Sequence, residues 1–518
     1  MILLSVLLTI AAGQPQLAQS AAGTYNDSLV LAPLYVSYNL VTPEKFAADA
    51  AEIKQAIGSA PHVLLGFASY ENLTFPDIPL TQPITVSDMQ SVLDDTDLIV
   101  KRAHDNGLVT HISIISGFFH PGNNLRYSAI RQDMRNAQWF SDGWIADPND
   151  LQDPDTVPPT VWLTPSRYAN PVRVRIEEGT RIVAQHLAGL MAQFPNTFLT
   201  MSGDGETELT LERNFTSDGT QISKLNNIIY TDYSPFMVEE FRDSIRAGKY
   251  AGDLSPGTDD NGDGHTFNGD YGQSFTTWQL RYFDNSGPIS FSDYVAMPQK
   301  LPTSGPYAIP GGFDAPRVED LNSPFFKAWI LFRQDAVRNW SRDFATWMTT
   351  SPDPMTGFTI PAARYYTHQI PADFIFGQSD NLRLRTSASP ISTAIIDPVG
   401  STGVTAFNGY DGRNFLKTAT PSLFSSLFSS SDNWGIMEYN PCVPYSNSLA
   451  PSSDLNYYMN ELRVLHNFQP HVLIPFAWSD YPQHKMYSLR NSTFERALHQ
   501  FVQEIGKTPW FSWHARLG

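Results

Sequence analysis

Two glutamates each close a short apolar run. One run reads Phe198-Leu199-Thr200-Met201-Ser202-Gly203-Asp204-Gly205-Glu206; the other reads Trp434-Gly435-Ile436-Met437-Glu438. A carboxylate at the end of a buried strand adds little to stability, because its charge must be taken out of water. Two carboxylates facing one cleft can do chemistry. One, kept protonated by burial or by a neighbouring negative charge, protonates a leaving oxygen. The other, kept ionised by hydrogen bonds, attacks the carbon that the oxygen leaves. At a separation of about 5–5.5 Å such a pair cleaves a glycosidic bond with retention; at about 6.5–9.5 Å it leaves room for water and inverts. Glu438 reads as the nucleophile and Glu206 as the acid/base. Glu208 competes with Glu206, and Asp204 could hydrogen-bond a sugar hydroxyl. The competing reading of each glutamate is a salt-bridged strand-end acid.

Both glutamates need elements that bring them together. Apolar runs alternate with helical patterns along the chain, the signature of βα units around a parallel sheet. Strands are expected at Leu29–Tyr35, His62–Phe67, Leu108–Ile115, Thr197–Ser202, Phe358–Tyr366, Thr393–Ile396, Asn433–Glu438 and His471–Ala477. Helical spacing covers Pro43–Ile57, Val86–Asn106, Pro171–Phe194, Ser323–Thr349, Leu455–Leu465 and Thr493–Ile505. The expectation is a (β/α)8 TIM barrel over residues 23–518, with a long insertion after strand four at about 209–320. In such a barrel the C-terminal ends of the strands carry the active site. Glu206 and Glu438 then stand on strands four and seven.

Other residues at that face are candidate sugar contacts. His120 follows strand three, and Tyr366, His368 and Gln369 close strand five. Asp397 closes the expected strand six, and Trp478 closes strand eight. Hydroxyls of a sugar need polar groups, and its CH faces pack on flat rings. Loop anchoring or ordinary packing is the alternative for each.

Three segments carry a resemblance. Tyr233-Ser234-Pro235-Phe236-Met237-Val238-Glu239-Glu240-Phe241-Arg242 is followed by Phe267-Asn268-Gly269-Asp270-Tyr271-Gly272-Gln273-Ser274-Phe275-Thr276-Thr277-Trp278; then come Met437-Glu438-Tyr439-Asn440-Pro441 and Pro475-Phe476-Ala477-Trp478-Ser479. The chain resembles the (β/α)8 retaining glycoside hydrolases that bear acid/base and nucleophile on strands four and seven, and within them the family 42 β-galactosidases. The resemblance implies a barrel, a covalent glycosyl-enzyme on Glu438, and Trp478 as the floor of the sugar site. Gly205 stands where that family places an asparagine before its acid/base. That residue binds the sugar 2-hydroxyl, so the resemblance says less about the sugar.

Composition excludes some partners. The chain has 518 residues, a net charge of −18 and only 34 Lys and Arg. Phosphate backbones need clustered cations, so nucleic acid is not expected, nor is a polyanionic polysaccharide. Met1 to Gly13 is apolar but too short to span a bilayer, and small residues follow at Ala18 to Ala22. This reads as a signal peptide over residues 1–22, which predicts a secreted or periplasmic enzyme with no membrane attachment after cleavage. No Lys or Arg precedes the run, which departs from the usual pattern. Cys442 is the one cysteine, so no disulfide within the chain is expected.

Asp259, Asn261, Asp263 and Gly264 form a D-x-N-x-D-G pattern with Asp270 at the twelfth position. Hard cations want several oxygens on a tight loop, so a structural calcium is one reading and an acidic surface turn the other. No cofactor is expected for catalysis. The functional expectation is therefore a retaining β-glycosidase acting on oligo- or polysaccharide. The alternatives are a catalytically silent carbohydrate-binding barrel and an endo-acting polysaccharide hydrolase.

Overall fold

A computed structural model of the chain describes residues 28–35, 42–116, 125–138, 160–161, 165–195, 197–203, 210–212, 228–230, 232–246, 289–290, 324–357, 359–360, 363–366, 404–410, 433–441, 453–467, 470–476, 478 and 488–507. The strands of its main sheet are β1 (Leu29–Leu31), β2 (Val63–Asn72), β3 (Val109–Ile115), β4 (Phe198–Gly203), β5 (Ala363–Tyr366), β6 (Val404–Tyr410), β7 (Asn433–Asn440) and β8 (Val472–Pro475). They form one eight-stranded sheet in the order β4-β3-β2-β1-β8-β7-β6-β5. Every pairing in it is parallel. The two edge strands, β4 and β5, come up against each other. The sheet thus curls into an α/β barrel, and all its strands end on one face.

The connecting helices are α1 (Pro43–Ile57), α2 (Gln90–Asp105), α3 (Leu125–Gln132), α4 (Asn170–Gln193), α5 (Pro235–Arg246), α6 (Pro324–Thr349), α7 (Leu455–Asn467) and α8 (Thr493–Ile505). Their ends are written in the sequence. Thr42 accepts a hydrogen bond from the Lys45 amide and Pro43 opens α1; Gly58 closes it at φ 81°. Ser492 caps α8 through the Glu495 amide, and Phe494, Ala497, Leu498, Phe501, Val502 and Ile505 form its buried stripe. Among the described residues no helix is long and apolar enough to cross a membrane.

Small residues let the strands close. A Cβ on Gly66 would lie 2.9 Å from the Ala32 Cβ and 3.0 Å from Val109 Cγ2. One on Gly435 would lie 2.9 Å from the Val472 Cβ. These residues therefore share the inner face. The outer face meets the helices, as where Phe67 packs on Phe46 of α1 with ring centroids 5.0 Å apart.

Two expectations change. β2 runs five residues past Phe67, to Asn72. The sixth place in the barrel is filled by Val404–Tyr410 and not by residues 393–396, which lie outside the described residues. Asp397 therefore does not close strand six. The β-branched run at 393–396 has the better strand propensity, but barrel position is decided by pairing with β5 and β7.

The described part of the expected insertion is small. It comprises a Thr210–Glu212/Ile228–Tyr230 hairpin, α5, and Ile289–Ser290 paired with Thr160–Val161. The rest of 209–320, and the leader at 1–22, lie outside the described residues.

Candidate active site

The site is built from the C-terminal ends of β7 and β2. Glu438 sits near the end of β7 and is 6% exposed. The phenol of Tyr70, on β2, donates a hydrogen bond to Glu438 Oε1. β2 and β7 are separated in the sheet by β1 and β8, so this bond spans the barrel interior. Tyr70 also lies against Phe476, just past β8, with centroids 6.4 Å apart.

A bulge aims Glu438 inward. β7 carries one more residue than either neighbour between Ile436 and Tyr439. Against β6, Phe407 pairs with Ile436 and Asn408 with Glu438; against β8, Leu473 pairs with Ile436 and Pro475 with Tyr439. The extra residue is Met437. In an unbroken pleat Gly435 and Glu438 would face opposite sides. The bulge reverses the alternation, so Gly435 and Glu438 both face in. Tyr439 faces out: its hydroxyl bonds Glu461 of α7 at 3.3 Å and its ring packs edge-on against Phe494 of α8 at 5.7 Å. β4 has the same irregularity. Thr110 pairs with Phe198 but His111 with Thr200, which leaves Leu199 as the extra residue.

The electrostatics follow from burial. With its carboxyl enclosed, Glu438 is pushed up to about 8. A protonated carboxyl is thus favoured at neutral pH. The Tyr70 donor works the other way, because a hydrogen bond to the carboxylate favours the charged form. Deeper in the same barrel, His111 on β3 is buried and pushed down to about 3 by desolvation, so it is neutral. Ser113, in register with Tyr70, is buried as well. On the outer face of β2, Glu71 accepts from Ser69 Oγ at 2.6 Å and is raised to about 7, by burial first and by Asp95 second.

A polar cluster adjoins β3 and β4. Arg167 reaches Ser116 Oγ at 3.3 Å, one residue past β3, and lies over the Trp340 ring at 5.9 Å. Asp232 is buried, accepts from Ser166 Oγ and the Ser234 amide, and is pushed up to about 6 chiefly by burial. It anchors the start of α5, where Ser234 Oγ accepts from the Met237 amide at 3.4 Å.

Of the residues expected at the mouth, Glu438 and Trp478 are described in full. Trp478 is completely buried; its amide donates to the Leu34 carbonyl at 2.9 Å, and its buried indole nitrogen has no partner among the described residues. Tyr366 is the last residue of β5 and pairs with Phe407. Glu206, Glu208, Asp204, His120, His368, Gln369 and Asp397 lie outside the described residues, as do Asp259, Asn261, Asp263 and Asp270. Gly203 ends β4 three positions before Glu206. Among the described residues no group of three or more His, Cys, Asp or Glu could hold a metal. Tyr70 is absent from the expected contacts. Its signal was the alternation Gly66-Ala68-Tyr70, two small residues and then a large polar ring on one face.

No family model matches the chain, and no curated protein matches it. Solved structures do. A β-galactosidase from the Antarctic haloarchaeon Halorubrum lacusprofundi aligns with 92% of this chain at a TM-score of 0.50 and 11% identity. The chain spans 58% of that enzyme's length. The catalytic domain of β-amylase from Paenibacillus polymyxa aligns with 92% of this chain and 99% of its own, at a TM-score of 0.48 and 11% identity. Gan42B, a β-galactosidase from G. stearothermophilus, aligns with 93% of this chain and 57% of its own, at 0.45 and 10%. The first likeness supports the α/β barrel fold; the other two add nothing to it.

Proposed function

We propose that this chain is a retaining β-glycosidase, β-galactosidase-like in its substrate class, with Glu438 as nucleophile and Glu206 as acid/base. One observation carries the reading: a bulge at Met437 turns a buried carboxyl into the barrel at the end where barrel active sites lie. Glu206 protonates the glycosidic oxygen as Glu438 attacks, and then activates water. Asp204, His120, Tyr366, His368 and Gln369 stand as proposed sugar contacts. The N-terminal apolar run supports action outside the cytoplasm.

The test is hydrolysis of aryl β-glycosides and plant or algal polysaccharides by the wild type and Glu438→Gln side by side. The wild type turns over at least one aryl β-glycoside and the variant loses that turnover. Equal rates would reject the nucleophile role.

The elevated carboxyl at about 8 favours one second reading, with Glu438 as proton donor. Azide separates the two. A truncated nucleophile rescued by azide yields the α-glycosyl azide, and a truncated acid/base yields the β-anomer. The first reading predicts the α-anomer from Glu438→Gly.

A further inference from the structure

We propose that Asn72 and Ile115 form a binding place for a second sugar unit, one step outward from the sugar held at Glu438. The inference rests on the glycosidase reading above and narrows its substrate class to oligosaccharides. Tyr70 identifies the inner face of β2, because its phenol meets Glu438 across the barrel. β2 and β3 pair without a break from Gly66–Val109 to Asn72–Ile115, and the Leu73 amide continues the ladder to the Ile115 carbonyl at 2.8 Å. Side chains alternate along an unbroken strand, so Asn72 and Ile115 share the inner face with Tyr70.

Burial relaxes outward along this face. Ala68, His111 and Ser113 are buried. Tyr70 is half-buried, and at the next step Asn72 and Ile115 are both half-buried. The barrel therefore opens at the level of these two residues. The Asn72 carboxamide makes no hydrogen bond to a described residue, so the described fold does not use it. A carboxamide carries two donors and an acceptor and can meet two neighbouring hydroxyls at once. Ile115 beside it offers apolar surface to the CH face of the same ring. Two residues of parallel strand rise about 6.6 Å, comparable to the repeat of one sugar in a β-linked chain. A sugar at Asn72 is thus the neighbour of the one at Glu438.

Asn72→Ala tests this by selectivity. The kcat/KM is measured on 4-nitrophenyl β-glycosides of galactose, glucose and mannose, on the matching 4-nitrophenyl disaccharides, and on the free disaccharides. The ratio of disaccharide to single-sugar kcat/KM should fall about 5- to 30-fold in the variant, the range for one or two neutral hydrogen bonds. A fall with the nitrophenyl disaccharides puts the second sugar on the non-reducing side of the scissile bond, and a fall with the free disaccharides alone puts it on the leaving side. A ratio equal to that of wild type would overturn the proposal. Should the alanine variant fold poorly, Asn72→Leu keeps the shape without the hydrogen bonds and should show the same fall. Calorimetric titration supplies a readout without turnover. Adding Asn72→Ala to Glu438→Gln should raise the disaccharide Kd by a similar factor, and equal affinities would overturn the proposal. The underlying reading fails separately, if the wild type turns over none of these substrates or if Glu438→Gln is as fast as wild type.

Discussion

Glu438 and Tyr439 are neighbours in the chain and face opposite sides of the barrel wall. Glu438 meets Tyr70 inside, while Tyr439 meets Glu461 and Phe494 in the helical layer. The extra residue, Met437, lets the side chain before Tyr439 share the inner face with Gly435. Bulges beside active sites re-aim side chains in this way.

Deleting Met437 should therefore remove the bulge and keep both faces of β7. Gly435 and Glu438 are then two residues apart in a regular pleat, so both still face in, and Tyr439 still faces α7 and α8 with its pairing unchanged. We expect the deletion variant to fold, at a loss of about 1–3 kcal/mol for reshaping the strand. Met437→Leu keeps the bulge and should cost less than about 1.5 kcal/mol. Urea midpoints of the two variants check this. A deletion variant that does not fold while Met437→Leu does would contradict the assignment of Met437 as the extra residue.

Stability should fall as pH rises from about 5 to about 8. Glu438, Glu71 and Asp232 have folded pKa values of about 8, about 7 and about 6, all above their unfolded values. The unfolded chain releases these protons first, so their contribution is whole below the unfolded pKa and is lost as pH rises through the folded one. His111 has the opposite sign, with a folded value of about 3 below its unfolded value, so it destabilises the fold as pH falls below about 6.5. Glu438→Gln removes one carboxyl from this set. Relative to wild type, it should gain about 4 kcal/mol between pH 4.5 and pH 9. Melting curves at five pH values check this, and parallel curves for the two proteins would contradict it.

The end of β4 should tolerate no side chain at Gly203. A Cβ there would lie 2.6 Å from the Phe344 ring of α6 and still closer to the Ile114 carbonyl. Gly203→Ala should cost about 1–3 kcal/mol and shift the strand end that leads to Glu206. Phe344→Ala in the same chain should recover part of the loss, because it removes one of the two clashes. Additive losses in a double-mutant cycle would contradict the contact.

The loop from Asp259 to Asp270 is proposed to bind calcium. If it does, EDTA should lower the melting temperature by several degrees, and calcium but not magnesium should restore it. Asp263→Asn should weaken the response. A melting temperature indifferent to both reagents would leave the loop as an acidic turn.

Much of the scaffold was legible because its patterns are local. Pro43–Ile57 and Thr493–Ile505 carry caps and one apolar stripe, and both helices have the expected bounds. The sixth strand was not legible. Asn408 and Gly409 are residues that strands avoid, so Val404–Tyr410 reads as a loop beside the β-branched residues at 393–396. The inward face of Glu438 follows from an extra residue in two ladders, and an apolar run such as Trp434 to Met437 shows no break where it occurs. Tyr70 belongs to no motif; only the barrel's closure brings it to Glu438.

The most direct test is to trap the intermediate. The enzyme is incubated with the 2-deoxy-2-fluoro analogue of an aryl β-glycoside that it hydrolyses, then digested and mapped by mass spectrometry. The account predicts one added glycosyl group on the peptide containing Glu438, and none in Glu438→Gln. A label on any other carboxylate, or none while the parent glycoside is still hydrolysed, would contradict it.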